Sequence, residues 1–209
     1  MGEKMKVISV QNSKGGVGKT TLAINIAKYL SMGCSSKTIL YDADPQRTAY
    51  DWFCIKEDQS FKVVPIDNPK LLEAQVEKAD YDYVVIDNPP AMSQFFITSI
   101  KLANYLVIPV SSSAFDIWGL SSLIDTINMI SKNFSIIFVH NKIIRNAVIG
   151  KEIKEALKEI EINKKNYIFD VLFRQSYPKS ALLGETVFDT DDTRAIAEIE
   201  FITDKIIRG

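Results

Sequence analysis

The sequence predicts an α/β fold in which helices cover both faces of a doubly wound, mostly parallel β-sheet. Short β-branched runs alternate with helix-like stretches along the whole chain of 209 residues. Runs such as 84–86 and 135–139 do not alternate between apolar and polar residues, so both faces of these strands are expected to be buried. Ligands of such sheets bind beyond the carboxyl ends of the strands, and the functional site is expected at that edge.

The expected elements alternate from one end of the chain to the other. Strands are expected at 6–10, 38–41, 61–66, 83–86, 105–110, 135–140 and 167–173. Helices are expected at 20–30, 48–57, 71–79, 94–102, 120–130, 150–160 and 193–207. No repeat or linker divides these elements, so the sequence predicts one domain over residues 1–209. Because the first strand starts near residue 6, no N-terminal helix-turn-helix domain is expected.

Bulk composition excludes several classes of protein. With 46% apolar and 24% charged residues, the chain is expected to fold rather than to remain disordered. A net charge of -1 gives no overall field that would attract nucleic acid or an anionic membrane, so such contacts require a local patch. Cys34 and Cys54 have neither redox-pair nor zinc-site spacing and suit a reducing cytoplasm. No apolar run approaches the length of a bilayer span, so no membrane association is expected.

A glycine-rich segment, QNSKGGVGKTT at 11–21, joins the first expected strand to a helical pattern. Its glycines allow backbone N–H groups to converge on phosphate oxygens, and the helix N-terminus adds partial positive charge. In this context Lys19 is expected to contact the β- and γ-phosphates of ATP, or the β-phosphate of ADP, and the Thr20 hydroxyl to ligate Mg²⁺. The expected nucleotide-binding residues here are Lys14, Gly15, Gly16, Val17, Gly18, Lys19, Thr20 and Thr21.

This segment departs from the common phosphate-binding motif. The pattern G-x-x-x-x-G-K followed by Ser or Thr would require glycine where the chain has Ser13, and Lys14 stands instead just before the glycines. A tight glycine-rich turn with exposed lysines is the alternative interpretation. The preceding strand, the following helix and the acidic ends of two other strands favour phosphate binding.

Acidic residues follow two of the other expected strands. A bound triphosphate requires carboxylates that hold Mg²⁺ and position the attacking water. Asp87, at the end of the run 83–86, is expected to hold Mg²⁺ through a water molecule. Asp44, just beyond 38–41, is expected to orient the attacking water, and Asp42 is a further candidate for supporting the metal. Each of these residues alone would also suit a turn.

With these motifs, the chain resembles the ParA/MinD group of deviant Walker-A P-loop ATPases. The matching segments are 14–21 (KGGVGKTT), 42–46 (DADPQ) and 87–90 (DNPP), with further matches at Asn141, Arg174, Gly184 and Arg194. Residues 180–188 and the early first strand are most similar to the small ParF-type partition ATPases. Asn88 is a departure, since ParA proteins commonly carry threonine there, and it concerns the second switch rather than nucleotide binding.

The resemblance implies an activity and a set of partners. It implies slow, Mg-dependent ATP hydrolysis by a homodimer closed around ATP, with Lys14, Lys19 and Asp44 as catalytic residues. Lys14 would cross to the partner's phosphates, as an arginine finger does. The resemblance also implies nonspecific DNA binding in the ATP state and stimulation by a ParB-like centromere-binding protein. The location implied is cytoplasmic, with association with the nucleoid when ATP is bound.

Three residues near strand ends have different expected roles. The resemblance favours an adenine contact for Asn141. Arg174 is expected either to stack on the base or to be solvated. His140 is interpreted as a packed residue at a strand end, because phosphoryl transfer at this kind of site requires no imidazole.

Candidate DNA-binding residues are less visible in the sequence. Residues 142–209 contain twelve Lys or Arg and twelve Asp or Glu, so no basic block stands out. By position, Arg194 resembles a DNA-binding arginine of the family, and Lys179, Lys205 and Arg208 are candidate helpers. Isoleucines at 196, 199, 202 and 206 share one face of the last helix, which is expected to dock on the sheet rather than on a membrane.

Other functions on the same fold compete with DNA partitioning. A MinD-like or cargo-positioning ATPase would use the same switch on protein cargo or on a membrane. A neighbouring gene for a small DNA-binding protein would favour DNA partitioning. An iron–sulfur reductase would require a cysteine near the second switch, and residues 87–91 contain none.

Overall fold

A parallel β-sheet forms the centre of the computed structural model, which describes residues 5–33, 36–56, 59–90 and 93–209. Its strands are β1 (Lys6–Val10), β2 (Thr38–Asp42), β3 (Lys62–Pro65), β4 (Tyr83–Asp87), β5 (Tyr105–Ser111), β6 (Ser135–Ile143) and β7 (Asn166–Leu172). They form a 7-stranded sheet in the order β3-β2-β4-β1-β5-β6-β7, and each pair of neighbours is parallel. The predicted α/β class and doubly wound sheet are therefore confirmed.

Helices pack on both faces of this sheet. They are α1 (Lys19–Met32), α2 (Thr48–Phe53), α3 (Pro69–Glu77), α4 (Gln94–Leu102), α5 (Ala114–Trp118), α6 (Ser121–Met129), α7 (Val148–Lys158), α8 (Ser176–Leu182) and α9 (Thr193–Arg208), with a 3-10 turn at Val187–Asp189. The buried side chains of α1, α2, α8 and α9 form one apolar cluster, and those of α3, α4, α6 and α7 form two others.

The structure differs from the expected elements in a few places. Helices α5 and α8 were not expected, because 5 and 7 residues are too few to show a helical repeat. Helix α2 ends at Phe53, whereas the sequence predicted that it would continue to residue 57. Residue 57 and Cys34 lie outside the described ranges. Strand β3 ends at Pro65, as suits an edge strand, and the other bounds shift by one to three residues.

The C-terminal helix docks on the sheet, as its apolar face predicts. Ile199, Ile202 and Ile206 are fully buried, in one cluster with Leu22 of α1 and Val171 of β7. Burial of each isoleucine stabilises the fold by about 1.5–3 kcal/mol. Within the described ranges, every helix is too short or too polar to cross a lipid bilayer.

The register of the central strands sets the position of the site. Strand β1 lies between β4 and β5. The chain continues from β1 to β2 on one side of this strand and from β4 to β5 on its other side, which creates a crevice at the carboxyl end of β1. Val10 is level with Asp87, and Asp87 is level with Asp42 on the next strand. The glycine-rich segment therefore leaves β1 directly beside the two carboxylates.

Candidate nucleotide-binding site

The glycine-rich segment bends over the carboxyl edge of the sheet and leads into α1. Gly16 and Gly18 have φ angles of 75° and 99°, a region that other residues rarely adopt. A Cβ on Gly18 would also lie 2.3 Å from Nδ2 of Asn141. Helix α1 has no side-chain cap and no acidic residue in its first turn, so its first N–H groups are free for an anion.

A cavity of about 280 Å³ lies over this segment. Its lining joins the glycine-rich segment to the loops that follow β2 and β4 and to the end of β6. It consists of Gly15, Gly16, Gly18, Lys19, Thr20, Thr21, Asp44, Pro90 and Lys142. The structure thus brings together most of the residues predicted to contact phosphate. It also adds Pro90, from the turn that follows Asp87.

Lys19 is the buried cation of the site, with 7% of its surface exposed. Its Nζ donates a hydrogen bond of 3.1 Å to the carbonyl oxygen of Lys14. Burial lowers the pKa of Lys19, while the charges of Asp87 and Asp44 act to raise it. The ammonium group therefore has one weak neutral partner and would gain from a phosphate at the cavity.

Asp87 is a buried carboxylate that receives no hydrogen bond of normal geometry from the described residues. It is 1% exposed, and neither of its oxygens makes a hydrogen bond within normal geometric limits. Burial raises the pKa of Asp87 to about 7, against the opposing effects of the nearby Thr20 hydroxyl and of Lys19. An unpartnered carboxylate beside a hydroxyl is the donor set expected for Mg²⁺ held with phosphates and water. Within the described residues, no group of three or more His, Cys, Asp or Glu could hold a metal ion, so an ion at Thr20 and Asp87 would take its other ligands from phosphate and water.

The two other acidic candidates have different surroundings. Asp42 is buried, and its carboxylate accepts hydrogen bonds from the backbone N–H groups of Asp44 (3.1 Å) and Tyr50 (2.9 Å). Burial raises the pKa of Asp42, and these N–H groups lower it. Asp44 is half-buried, lines the cavity and accepts from the N–H of Gln46 at 2.9 Å. Asp44 thus faces the phosphate position, whereas Asp42 shapes the loop that carries it.

Lys14 forms an ion pair within its own chain. Its Nζ contacts the carboxylate of Asp116 in α5, which is buried and also accepts from the hydroxyl of Ser111. The side chain of Lys14 is nevertheless 48% exposed. Asp116 was not identified from the sequence, because the pair joins segments 102 residues apart and no motif marks it.

A second cavity, of about 210 Å³, adjoins the first through Gly18, Thr21 and Lys142. The side chains of Asn141, Arg174 and Tyr177 also line it. Its size and position suit a nucleotide base next to the phosphate cavity.

The residues around this second cavity are held by their own contacts. Asn141 donates to the carbonyl oxygen of Val17 at 2.8 Å, which leaves little freedom to its amide. Arg174 is 18% exposed, and its guanidinium group donates to both carboxylate oxygens of Glu198 at 2.8–3.1 Å. Lys142, which was not identified from the sequence, has a φ of 58° and donates to the carbonyl oxygen of Gly16 at 2.6 Å. Its position directly after Asn141 was the available signal.

His140 is packed, as interpreted from the sequence, although β6 does not end there and continues to Ile143. It is 1% exposed, and its Nε2 lies 2.9 Å from the hydroxyl of Ser112. It does not line either of the two cavities.

A buried polar network ties the turn after β4 to the first strand. The amide nitrogen of Asn88 donates to the Ser9 hydroxyl and to the Val10 carbonyl, both at 3.0 Å. Its amide oxygen accepts from the Ser99 hydroxyl at 2.8 Å, and Gln11 donates to the same hydroxyl at 2.6 Å. Since each of these side chains is at most 1% exposed, Asn88 is a structural part of this turn.

The candidate DNA-binding residues lie at opposite ends of α9. Arg194 is near the start of α9. Asp192, which caps this end of the helix, forms an ion pair with Arg174 beyond the carboxyl end of β7. Lys205 is near the other end of α9, where the carbonyl groups of 206 and 207 accept from Lys6 at the start of β1. With a rise of about 1.5 Å per residue, Arg194 and Lys205 are roughly 16 Å apart along the helix. Lys179, in α8, lies at the Arg194 end and Arg208 at the Lys205 end, so the four do not form one patch.

Comparison with protein families agrees with this geometry. A family model described as the CobQ/CobB/MinD/ParA nucleotide binding domain matches residues 8–187. The chain belongs to this family. The resemblance to the ParA/MinD group that its motifs carry is thereby confirmed.

Several ParA-type proteins are similar in sequence. Maintenance of carboxysome distribution protein A from Gloeobacter kilaueensis is 36% identical over 126 residues, which cover 59% of this chain and 56% of that protein. Chromosome partitioning protein ParA from Myxococcus xanthus is 29% identical over 173 residues, which cover 62% of this chain and 60% of that protein. The chain thus matches less than two thirds of the length of these two relatives.

Solved structures share the fold along nearly the whole chain. A plasmid partition protein from Borrelia burgdorferi bound to AMPPNP has a TM-score of 0.80 at 21% identity, with 98% of this chain and 99% of that one covered. The ATP complex of McdA from Cyanothece has a TM-score of 0.81 at 20% identity, with 98% and 97% covered. Both proteins were solved with a nucleotide.

Proposed function

We propose that this chain is an ATP-dependent dimerising switch that partitions DNA, binding nonspecific DNA in its ATP state and answering to a ParB-like centromere-binding partner. The observation that carries the proposal is the pair of lysines around the phosphate cavity. Lys19 lines the cavity from within its own chain, whereas Lys14 is half-exposed and directed to Asp116. A lysine that does not serve its own phosphate cavity is available to serve that of a second copy.

The residues of the site divide the work of slow hydrolysis. Backbone N–H groups of the glycine-rich segment and the start of α1 would hold the phosphates, and Lys19 would neutralise their charge. Mg²⁺, held by Thr20 and Asp87, would supply further charge neutralisation when bound. Asp44, which faces the cavity, would orient the attacking water. Asn141 and Arg174 would border the base.

A cargo-positioning function is the second candidate. It is favoured by the relative from Gloeobacter kilaueensis, whose name refers to carboxysome distribution. The same nucleotide switch would serve this function, with protein cargo in place of a DNA locus. The partner that stimulates hydrolysis therefore distinguishes the two functions: a centromere-binding protein for DNA, or a cargo adaptor for a protein assembly.

The test of the proposal is Lys14→Gln, with Lys62→Gln as a control that removes an equal charge from the exposed edge strand β3. Light scattering should show wild-type dimers with Mg²⁺ and a non-hydrolysable ATP analogue, and monomers with ADP. The Lys14 variant should remain monomeric with the analogue while its ADP affinity changes little. A wild-type chain that stays monomeric with the analogue would rule out the dimer switch. A variant that dimerises normally would show that Lys14 is only a loop lysine.

A further inference from the structure

The amino edge of the sheet, opposite the nucleotide site, carries a group of lysines of which only Lys205 was a candidate from the sequence. Helix α4, the turn before β6 and the turn before β7 all end at this edge, next to the last turn of α9. We call the following residues the amino-edge lysine cluster: Lys101, Lys132, Lys164, Lys165 and Lys205.

Backbone hydrogen bonds fix these segments next to one another. The N–H of Ser135 donates to the carbonyl of Asn104 at 3.0 Å, and the N–H of Ile136 donates to the carbonyl of Lys165 at 2.8 Å. The starts of β5, β6 and β7 are therefore adjacent and span about 10 Å at the usual strand spacing. The lysines of the cluster are therefore far apart in the sequence, but the segments that carry them are neighbours in the fold.

Aromatic rings position several of these lysines. The Nζ atoms of Lys165 and Lys205 lie 5.6 Å and 4.2 Å from the ring centre of Tyr167. The Nζ atom of Lys164 lies 5.5 Å from the ring centre of Phe134. Ring faces hold ammonium groups without neutralising their charge.

Four lysines of the cluster have no acidic partner among the described residues. In the described part of the chain, Lys101, Lys164, Lys165 and Lys205 form no ion pair within 4.0 Å. Asp204, next to Lys205, is already bound to Arg208 at 2.7 Å and to the Tyr29 hydroxyl at 3.1 Å. Neighbouring cations that keep their charge uncompensated favour an external polyanion.

A polar cleft of about 310 Å³ opens between the same strand starts. Asn104, Asn133 and Ser135 supply amide and hydroxyl groups to its lining, next to the rings of Tyr105 and Phe134. Of the described residues, no acidic side chain is part of that lining. Amides and hydroxyls beside lysines are the usual contacts to the sugar-phosphate backbone of nucleic acids.

We propose that the amino-edge lysine cluster binds the phosphate backbone of duplex DNA. The proposal rests on the proposed partition function and relocates its DNA contact, from the Arg194 end of α9 to the Lys205 end. In this arrangement DNA lies on the side of the sheet away from the nucleotide, so ATP and DNA do not compete for the same surface.

The test compares two sets of lysine or arginine substitutions at opposite ends of the molecule. The first variant, Lys101→Gln with Lys165→Gln and Lys205→Gln, removes three cations of the cluster. The matched control, Lys179→Gln with Arg194→Gln, acts at the other end of α9. Binding of a fluorescein-labelled duplex would be measured by anisotropy at several salt concentrations, with Mg²⁺ and a non-hydrolysable ATP analogue, after light scattering has shown that each variant still dimerises.

The cluster variant should lower the slope of log K against log salt by about 0.9 for each phosphate that is no longer neutralised, or about 2.7 for three. If wild type and variant bind equally at 1 M salt, this difference in slope makes the variant roughly 500-fold weaker than wild type at 0.1 M salt. The control variant should keep the wild-type slope. The inference is wrong if the cluster variant keeps the wild-type slope, or if the control alone loses binding, while the proposed function stands in both cases.

A wild-type chain that binds no DNA with the analogue would instead overturn the proposed function, and this inference with it. Vesicles containing 30% phosphatidylserine serve as the probe for the other anionic surface. Wild-type binding to these vesicles but not to the duplex, abolished in the cluster variant, would assign the surface to a membrane and refute the DNA contact.

Discussion

Asp87 offers a direct test of how the site is arranged, through the substitution Asp87→Asn. In the chain without nucleotide, this buried carboxylate receives no hydrogen bond of normal geometry from the described residues, and its pKa is raised from 3.8 to about 7. Because folding raises the pKa, the ionised group opposes folding. The penalty is absent below pH 3.8, grows as the pH rises through the window between the two values, and is complete above pH 7.

The size of the penalty follows from the two pKa values. Each pKa unit corresponds to about 1.4 kcal/mol, so the ionised carboxylate costs about 4 kcal/mol at pH 8 and about 1 kcal/mol at pH 4.5. Asparagine has a similar shape and no charge. The free-energy cost of burying its amide does not depend on pH. The difference in unfolding free energy between variant and wild type should therefore shift by about 3 kcal/mol in favour of the variant as the pH rises from 4.5 to 8.

The assay is urea denaturation at a series of pH values between 4.5 and 8, with EDTA and without nucleotide. Asp125→Asn, at an exposed position of α6, removes the same charge from the surface and serves as the control. A difference between Asp87→Asn and wild type that stays constant within about 1 kcal/mol over this range would refute the reasoning. It would mean that the carboxylate is neutralised in the free protein or reaches water.

Two further predictions concern the phosphate cavity. Lys19→Ala should abolish binding of ATP and ADP, because it removes the buried cation that lines the cavity; calorimetry that shows an unchanged affinity would contradict the assignment. Asp44→Ala should still bind ATP and dimerise but hydrolyse it about 100-fold more slowly, since the phosphate cradle remains and the group that orients water is removed. Single-turnover hydrolysis measures this effect, and a normal rate would show that Asp44 is only a turn residue.

The sheet could be predicted from the sequence because its strands are buried on both faces. Runs such as 84–86 and 135–139 have no polar side that would allow another arrangement, and regular helices between them favour parallel pairing. The elements that were not predicted, α5 and α8, are too short to bury a repeating apolar face. They are fixed by tertiary contacts, such as the ion pair between Asp116 and Lys14.

The candidate site could be predicted where its residues are contiguous and follow strands. The glycine-rich segment, Asp44 and Asp87 belong to short motifs, and the register of the sheet brings them together. Lys142 and Asp116 belong to no such motif. A left-handed backbone determines the position of Lys142, and the ion pair with Lys14, 102 residues away in the sequence, determines that of Asp116. The amino-edge lysine cluster was invisible for the same reason: it is assembled from four separate elements.

The hydrogen bonds of Asn88 also constrain how this sequence can diverge. A threonine hydroxyl at this place cannot replace an amide that donates to Ser9 and Val10 while accepting from Ser99. A single exchange at position 88 would leave buried groups unpaired at a cost of about 1–3 kcal/mol each. Positions 9, 11, 88 and 99 therefore depend on one another, and a substitution at any one of them is expected to leave buried polar groups of the others unpaired.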